Sequence, residues 1–230
     1  MDIQRLRARY EAARPFPHIV VDNAFDPAMV KRVEDELATF EDWDGEKAFY
    51  GSRKKRHCAT VGKLPPATQM MLAYLNGPEF LPALEALTGI DGLIPDPYLY
   101  GGGVHSIRRG GFLKIHADFN WHQRLQLHRR LNLLLYLNSG WNEAWGGALE
   151  LWDGEMKAKG AEIAPLFNRM VVFSTTDFSY HGHPEPLACP EDRVRNSLAL
   201  YYYTATRPEH EVQRGRSTDT DYRARRPGDF

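Results

Sequence analysis

Two residues of this sequence, His116 and Asp118, are spaced to act together. On an extended backbone residues i and i+2 point to one face, so His116-Ala117-Asp118 sets an imidazole beside a carboxylate. A histidine and a carboxylate are two of the three ligands in the facial arrangement that holds non-haem Fe(II) and leaves three coordination positions open. The same pair arises by chance on ordinary surfaces, so the reading requires a third ligand from elsewhere. Ser179-Tyr180-His181-Gly182-His183 supplies two candidates just after an apolar run at 170–173, and the two histidines again face the same way. Further on, Arg195, Ser197 and Ala199 share one strand face, opposite Asn196, Leu198 and Leu200. An arginine and a hydroxyl on an otherwise small, apolar face need a polar partner, and a guanidinium forks onto a carboxylate. The competing reading of Arg195 is a solvated arginine on a surface strand.

These side chains must be held by strands. From about residue 98 the sequence predicts short β-rich runs at 98–100, 112–115, 131–137, 148–152, 170–173 and 198–204, separated by Gly, Asn, Asp and Pro. Many short strands without intervening helical periods point to a sandwich or jelly-roll barrel rather than a parallel sheet. Residues 1–95 read as helices and loops instead. Asp26-Pro27 offers an N-cap and a first-turn proline ahead of Met29, Val30, Val33 and Leu37 at helical spacing. Two further helices are predicted at 66–76 and 78–88, the second opening at Pro78-Glu79 and closing before Gly89. Residues 207–230 mix both charges with few apolar side chains and read as an extended surface segment. The expected organisation is therefore 1–95 packed on a 96–206 β core, followed by 207–230.

Composition narrows the function. With 29 basic and 30 acidic residues among 230, the formal net charge is −1, and no global field favours nucleic acid or an anionic membrane. No apolar stretch approaches the ~18 residues of a membrane span. The two cysteines, Cys58 and Cys189, provide neither a disulfide framework nor a zinc site, and Met1-Asp2-Ile3-Gln4-Arg5 lacks a signal-peptide apolar region, so a cytoplasmic setting is expected. No motif specifies an oligomeric state. Gly101-Gly102-Gly103 lacks the Lys-Ser/Thr and helix of a phosphate loop. The basic run Arg53-Lys54-Lys55-Arg56-His57 reads as a solvated loop, or as a dock for an acidic peptide, nucleic acid or a phosphorylated substrate. His122 and His128 read as loop residues near the mouth of the barrel.

Taken in order, Gly110-Gly111-Phe112-Leu113, His116-Ala117-Asp118-Phe119-Asn120, Arg129 to Asn138, Trp145-Gly146-Gly147-Ala148-Leu149-Glu150-Leu151, Phe173 to His181 and Arg195-Asn196-Ser197 resemble the Fe(II)/2-oxoglutarate-dependent dioxygenases, in the prolyl 4-hydroxylase-like branch. The resemblance covers about 98–205, with an echo at Pro15 to Asp22. It implies a double-stranded β-helix (jelly-roll) core with the N-terminal helices outside. It implies His116, Asp118 and His181 as Fe(II) ligands, with His181 preferred over His183 because the ligand follows Ser-aromatic. His183 then stands behind the ligands or faces the substrate. Arg195 would pair with the C5 carboxylate of 2-oxoglutarate, with Ser197 nearby. Tyr136 matches a tyrosine that reaches the same carboxylate, and is equally readable as a core aromatic. Leu149 would form an apolar wall. Where some relatives carry a co-substrate tyrosine this chain has Ser106, so His105 or Ser106 would have to substitute.

The implied reaction uses O2 and hydroxylates an unactivated C–H bond, with succinate and CO2 released and ascorbate maintaining activity. A prolyl residue of a protein or peptide is the first substrate class, and a free amino acid or biosynthetic intermediate the second. A non-catalytic metal- or 2-oxoglutarate-binding module, or a zinc hydrolase on the same ligands, would leave part of this residue set without a task.

Overall fold

The computed structural model describes residues 2–225 and 229. Four α-helices form where the caps allow. In α1 (Ile3–Ala12) Asp2 accepts hydrogen bonds from the Gln4 and Arg5 amides. In α2 (Pro27–Ala38) Asp26 caps Ala28, and the stripe Val30, Val33 and Leu37 is buried. The start of α3 (Pro66–Leu75) is capped from α2, where Glu36 accepts from the Ala67 and Thr68 amides. The last helix, α4 (Leu81–Thr88), ends on Gly89 in the left-handed region. It opens three residues later than its sequence suggests, because the Phe80 and Leu81 amides both turn back onto the Gly77 carbonyl.

Thirteen strands lie among the described residues: β1 (His18–Val21), β2 (Gly45–Phe49), β3 (Ser52–Cys58), β4 (Ile94–Pro95), β5 (Gly103–Ala117), β6 (Trp121–His122), β7 (Leu127–Tyr136), β8 (Leu149–Trp152), β9 (Lys159–Ile163), β10 (Met170–Ser174), β11 (Tyr180–His183), β12 (Val194–Thr204) and β13 (Asp221–Tyr222). All pairings are antiparallel along the path β1-β10-β7-β12-β5-β11-β8-β9, which curls into a nearly closed jelly roll. Strand β5 joins the two halves. Its first part pairs with β12 and β3, and after the turn at Gly110 (φ 75°) its end pairs with β11 and β13.

Alternation divides the strands' duties. Leu131, Leu133 and Leu135 of β7 and Leu198, Leu200 and Tyr202 of β12 pack under the helices, in one core with Tyr10, Val30, Val33, Met71, Leu75 and Leu84. The opposite faces turn inward, where Tyr136, Leu149, Leu151, Val171 and Phe173 form a second cluster. Burying each of these large apolar side chains contributes roughly 1.5–3 kcal/mol, so both faces of β7 and the outer face of β12 are pinned in register. No helix among the described residues is long and apolar enough to cross a membrane.

Several sequence expectations need correction. Residues 98–100 form a turn rather than a strand, because the Asp96 carboxylate accepts from the Tyr98 and Tyr100 amides and Leu99 takes φ 48°. The run at 112–115 is the far end of the fifteen-residue β5. The basic run 53–57 is strand rather than loop, since β3 pairs with both β2 and β5. His122 and His128 also belong to strands, β6 and β7, and His122 is buried against Asp96, 3.3 Å away. The segment from 207 is not a free surface tail. Arg207 and Arg216 are ion-paired to the buried Asp177, and β13 pairs with the end of β5.

Candidate metal centre and its cavity

At the end of β5 and the start of β11, register does what sequence distance hides: His181 lies directly opposite His116. His116 Nε2 is 3.4 Å from one Asp118 carboxylate oxygen and His181 Nε2 is 3.3 Å from the other. One ligand atom from each of the three residues lies within 4.8 Å of the others. Each imidazole is oriented by its far nitrogen. His116 Nδ1 contacts the Lys114 carbonyl at 2.8 Å and His181 Nδ1 the Ser179 carbonyl at 3.0 Å. A carbonyl only accepts, so each Nδ1 carries the proton and each Nε2 keeps its lone pair for a metal.

Asp118 is fixed from behind. One of its oxygens accepts from Arg129 Nη2 at 2.9 Å and from Asn132 Nδ2 at 2.7 Å. The Arg129 guanidinium is itself held at 3.4 Å over the Tyr201 ring and 4.5 Å over Phe119. Burial pushes the Asp118 pKa up, yet the Arg129 guanidinium beside it, ahead of the neighbouring histidines, holds it well below the carboxylate range. Burial first, and then neighbouring His181, lowers the His116 pKa and keeps that ring neutral. Two imidazoles with Nε2 turned inward and an ionised carboxylate on one face of a cavity fit a divalent metal with open positions on the other side.

The remaining expected residues surround that cavity. Arg195 and Ser197 of β12 line it, as do Leu149 and His183. The Arg195 side chain is buried, donates from Nε to the Gly147 carbonyl at 2.7 Å and from Nη2 to the Tyr136 hydroxyl at 3.2 Å, and meets no carboxylate among the described residues. Gly147 is required there, since a Cβ would lie 2.9 Å from Arg195 Cδ on a backbone at φ 77°. Tyr136 is fully buried in the inner cluster and gives its hydroxyl to this corner, so it is both core aromatic and site residue. Both ring nitrogens of His183 are buried without a partner. A buried guanidinium without an acid, beside an imidazole without partners, suits a carboxylate-bearing co-substrate. Of the two residues weighed in place of a tyrosine, His105 lines the cavity, whereas Ser106 points to the other face of β5.

Sequence reasoning missed three contributors and saw a fourth only as part of the basic run 53–57. Asn132 and Arg129 position Asp118, and Tyr222 of β13 places its ring 5.2 Å from that of His116. Lys55 is the fourth. It is only 7% exposed and lines the cavity, and its pKa is lowered to about 7 by burial and by nearby Lys47. The cavity thus carries Lys47, Lys55, Arg129 and Arg195 against the single acid Asp118. A second depression continues outward from it, lined by His57, Tyr98, Tyr100, Phe119 and Thr220 and sharing Lys47.

Comparison with known proteins places this geometry. The sequence profile described as 2OG-Fe(II) oxygenase superfamily matches residues 102–215. Over 86 residues the chain is 31% identical to a prolyl 3-hydroxylase of Mus musculus, covering 35% of this chain and 15% of that protein's length. Three solved structures share the fold. A prolyl hydroxylase from Trichoplax adhaerens, in complex with a peptide of the hypoxia inducible factor oxygen degradation domain, has TM-score 0.63 and 18% identity over 87% of this chain and 90% of its own. A Pseudomonas putida prolyl-4-hydroxylase has TM-score 0.58 and 20% identity over 86% and 98%. HygX from Streptomyces hygroscopicus, with nickel, 2-oxoglutarate and hygromycin B bound, has TM-score 0.60 and 13% identity over 95% and 98%.

Proposed function

Because the chain belongs to the 2OG-Fe(II) oxygenase superfamily, we propose that it is a 2-oxoglutarate-dependent dioxygenase that hydroxylates a prolyl residue of a protein or peptide, releasing succinate and CO2. The observation that carries this reading is the convergence of His116, Asp118 and His181 on one cavity wall, with the acid-free guanidinium of Arg195 on another. His116, Asp118 and His181 would hold Fe(II), and Arg195 would take the C5 carboxylate of 2-oxoglutarate with help from the Tyr136 and Ser197 hydroxyls. Bound iron and 2-oxoglutarate supply the activation of O2 and the oxidation of the C–H bond; ascorbate keeps the iron reduced. The chain's own residues do the rest. Arg129 and Asn132 keep Asp118 ionised and aimed, the two backbone carbonyls fix the imidazole tautomers, and Leu149 with Phe173 keeps water from the inner wall. No side chain has to act as general base.

The depression running from the cavity past Tyr98 and Tyr100 supports an extended peptide substrate, and the Trichoplax relative holds a peptide. A small-molecule substrate is the second reading, favoured by the cover that Thr220 and Tyr222 place over the metal side and by the hygromycin B bound to HygX.

Anaerobic titration of Fe(II) and 2-oxoglutarate into metal-free protein tests the centre. A saturable visible charge-transfer band is expected, lost in Asp118→Ala and shifted to higher 2-oxoglutarate concentration in Arg195→Ala. No band in folded wild-type protein would overturn the assignment. Succinate release stimulated by proline-containing peptides then tests the substrate class.

A further inference from the structure

The hairpin β2–β3 places Lys47 directly opposite Lys55, and Lys55 lies opposite Ile107, which in turn lies opposite Arg195. Like charges opposite one another on a sheet repel, and such a pair is tolerated where something anionic comes between. None of the nearby acids does so. Asp118 is committed to Arg129 and Asn132, Asp44 to the Ala59 and Thr60 amides and Lys63, and Glu46 to Arg108. Among the described residues neither lysine has an ion-pair or hydrogen-bond partner, although Lys55 is buried and opens into the cavity.

A charge count then separates co-substrate from substrate. 2-Oxoglutarate has two carboxylates, one for the metal and one for Arg195, so neither is left for Lys55. Lys47 stands where the outer depression meets the cavity, and Lys55 is the next cation inward. A molecule entering along Tyr98, Tyr100 and Phe119 passes the first lysine before it reaches the second.

We infer that Lys55, seconded by Lys47, anchors a carboxylate of the primary substrate, so that the molecule attacked carries an acid close to the carbon that is hydroxylated. This rests on the oxygenase reading above. The acid has two sources, an acidic side chain beside the target residue of a peptide, or the α-carboxylate of a free or C-terminal residue. A charge-assisted hydrogen bond formed in a dry cavity separates such an acid from its amide by about tenfold or more in affinity.

The test measures binding by calorimetry on anaerobic protein loaded with Fe(II) and 2-oxoglutarate. The probes are N-acetyl-proline against N-acetyl-prolinamide, and acetyl-Ala-Pro-Glu-Ala-amide against its glutamine counterpart, each to about 10 mM. In at least one pair the acid should bind about tenfold tighter than the amide; which pair does so identifies the source. The preference should vanish in Lys55→Met and persist in Lys55→Arg. Equal binding of acid and amide, no binding of either acid, or a preference that survives Lys55→Met overturns the inference. So does a rise in the 2-oxoglutarate requirement of Lys55→Met, which would assign Lys55 to the co-substrate instead. If the wild-type charge-transfer band is absent the oxygenase reading fails by itself, and the same titrations on unloaded protein still decide the role of Lys55.

Discussion

Replacing Lys55 by methionine should stabilise the folded protein at neutral pH and remove part of its pH dependence. The ammonium has been taken from water into a cavity wall beside Lys47, and its pKa drops from 10.5 to about 7. At 1.36 kcal/mol per pKa unit that shift corresponds to a penalty of up to roughly 5 kcal/mol on the charged form. The sign follows from proton counting. Below pH 7 the lysine is charged in both folded and unfolded chains and the full penalty is present. Between about 7 and 10.5 the unfolded chain binds a proton that the folded chain does not, so stability rises with pH, by at most about 1.4 kcal/mol per unit. Above both values the contribution is zero. The charged groups facing Lys55 are Lys47, Asp118, Arg195 and Arg129, and subtracting the variant's curve from the wild type's cancels their own contributions to first order. Urea unfolding of metal-free wild type and Lys55→Met at about pH 6 and about pH 9 measures the difference. Methionine should be the more stable at pH 6, with the gap narrowed to about half by pH 9 and closed only above about pH 10.5. A variant less stable than wild type at pH 6, or a gap equal at both values, would refute the reasoning that a buried, unpaired charge is held there at a cost to folding.

Three other outcomes follow from the geometry. Asp118→Ala removes a proposed metal ligand and leaves the buried Arg129 uncompensated, so it should lose iron-dependent turnover and about 3 kcal/mol of metal-free stability, read from activity and urea unfolding together. Arg195→Ala should raise the KM for 2-oxoglutarate about tenfold or more while leaving iron binding in place, checked by succinate production and metal analysis; an unchanged KM would remove Arg195 from the co-substrate site. Tyr222→Ala removes the ring over His116 and its contacts with Phe49 and Tyr50, so amide exchange at 113–117 should quicken by about tenfold, measured by mass spectrometry.

What could be read in advance was local. His116 and Asp118 are two residues apart on one strand, and a period of two is enough to put them side by side. The caps of α2 and α4, Asp26-Pro27 and Gly89, are likewise properties of adjacent residues. Arg195 and Ser197 share a face for the same reason. Lys55 was illegible because every residue from 53 to 57 is basic, so alternation carries no contrast, and only pairing with β5 decides which of them turns inward. Arg129 stood beside Arg130 with nothing to distinguish them. One supports Asp118, and the other reaches Glu211 and Thr204. Tyr98-Leu99-Tyr100 has strand composition, but the Asp96 carboxylate outside that window bends it into a turn. The C-terminal segment has few apolar residues, and what holds it down is chiefly buried arginines on Asp177 together with the ring of Tyr222.

The pairing of β11 with β5 also fixes when the proposed metal centre comes into being. His116 and Asp118 are present together as soon as β5 is extended, but His181 joins them only when strands far apart in sequence have closed on each other. Contacts of such long range form late in folding, after the loop entropy between them has been paid. On the proposed ligand set, a nascent or partly folded chain has two ligands and no third, a weak and exchangeable hold on iron. The ion would be captured only by a barrel that has already closed. Loading would then be a readout of correct assembly, with oxygen chemistry withheld from chains that have not reached it.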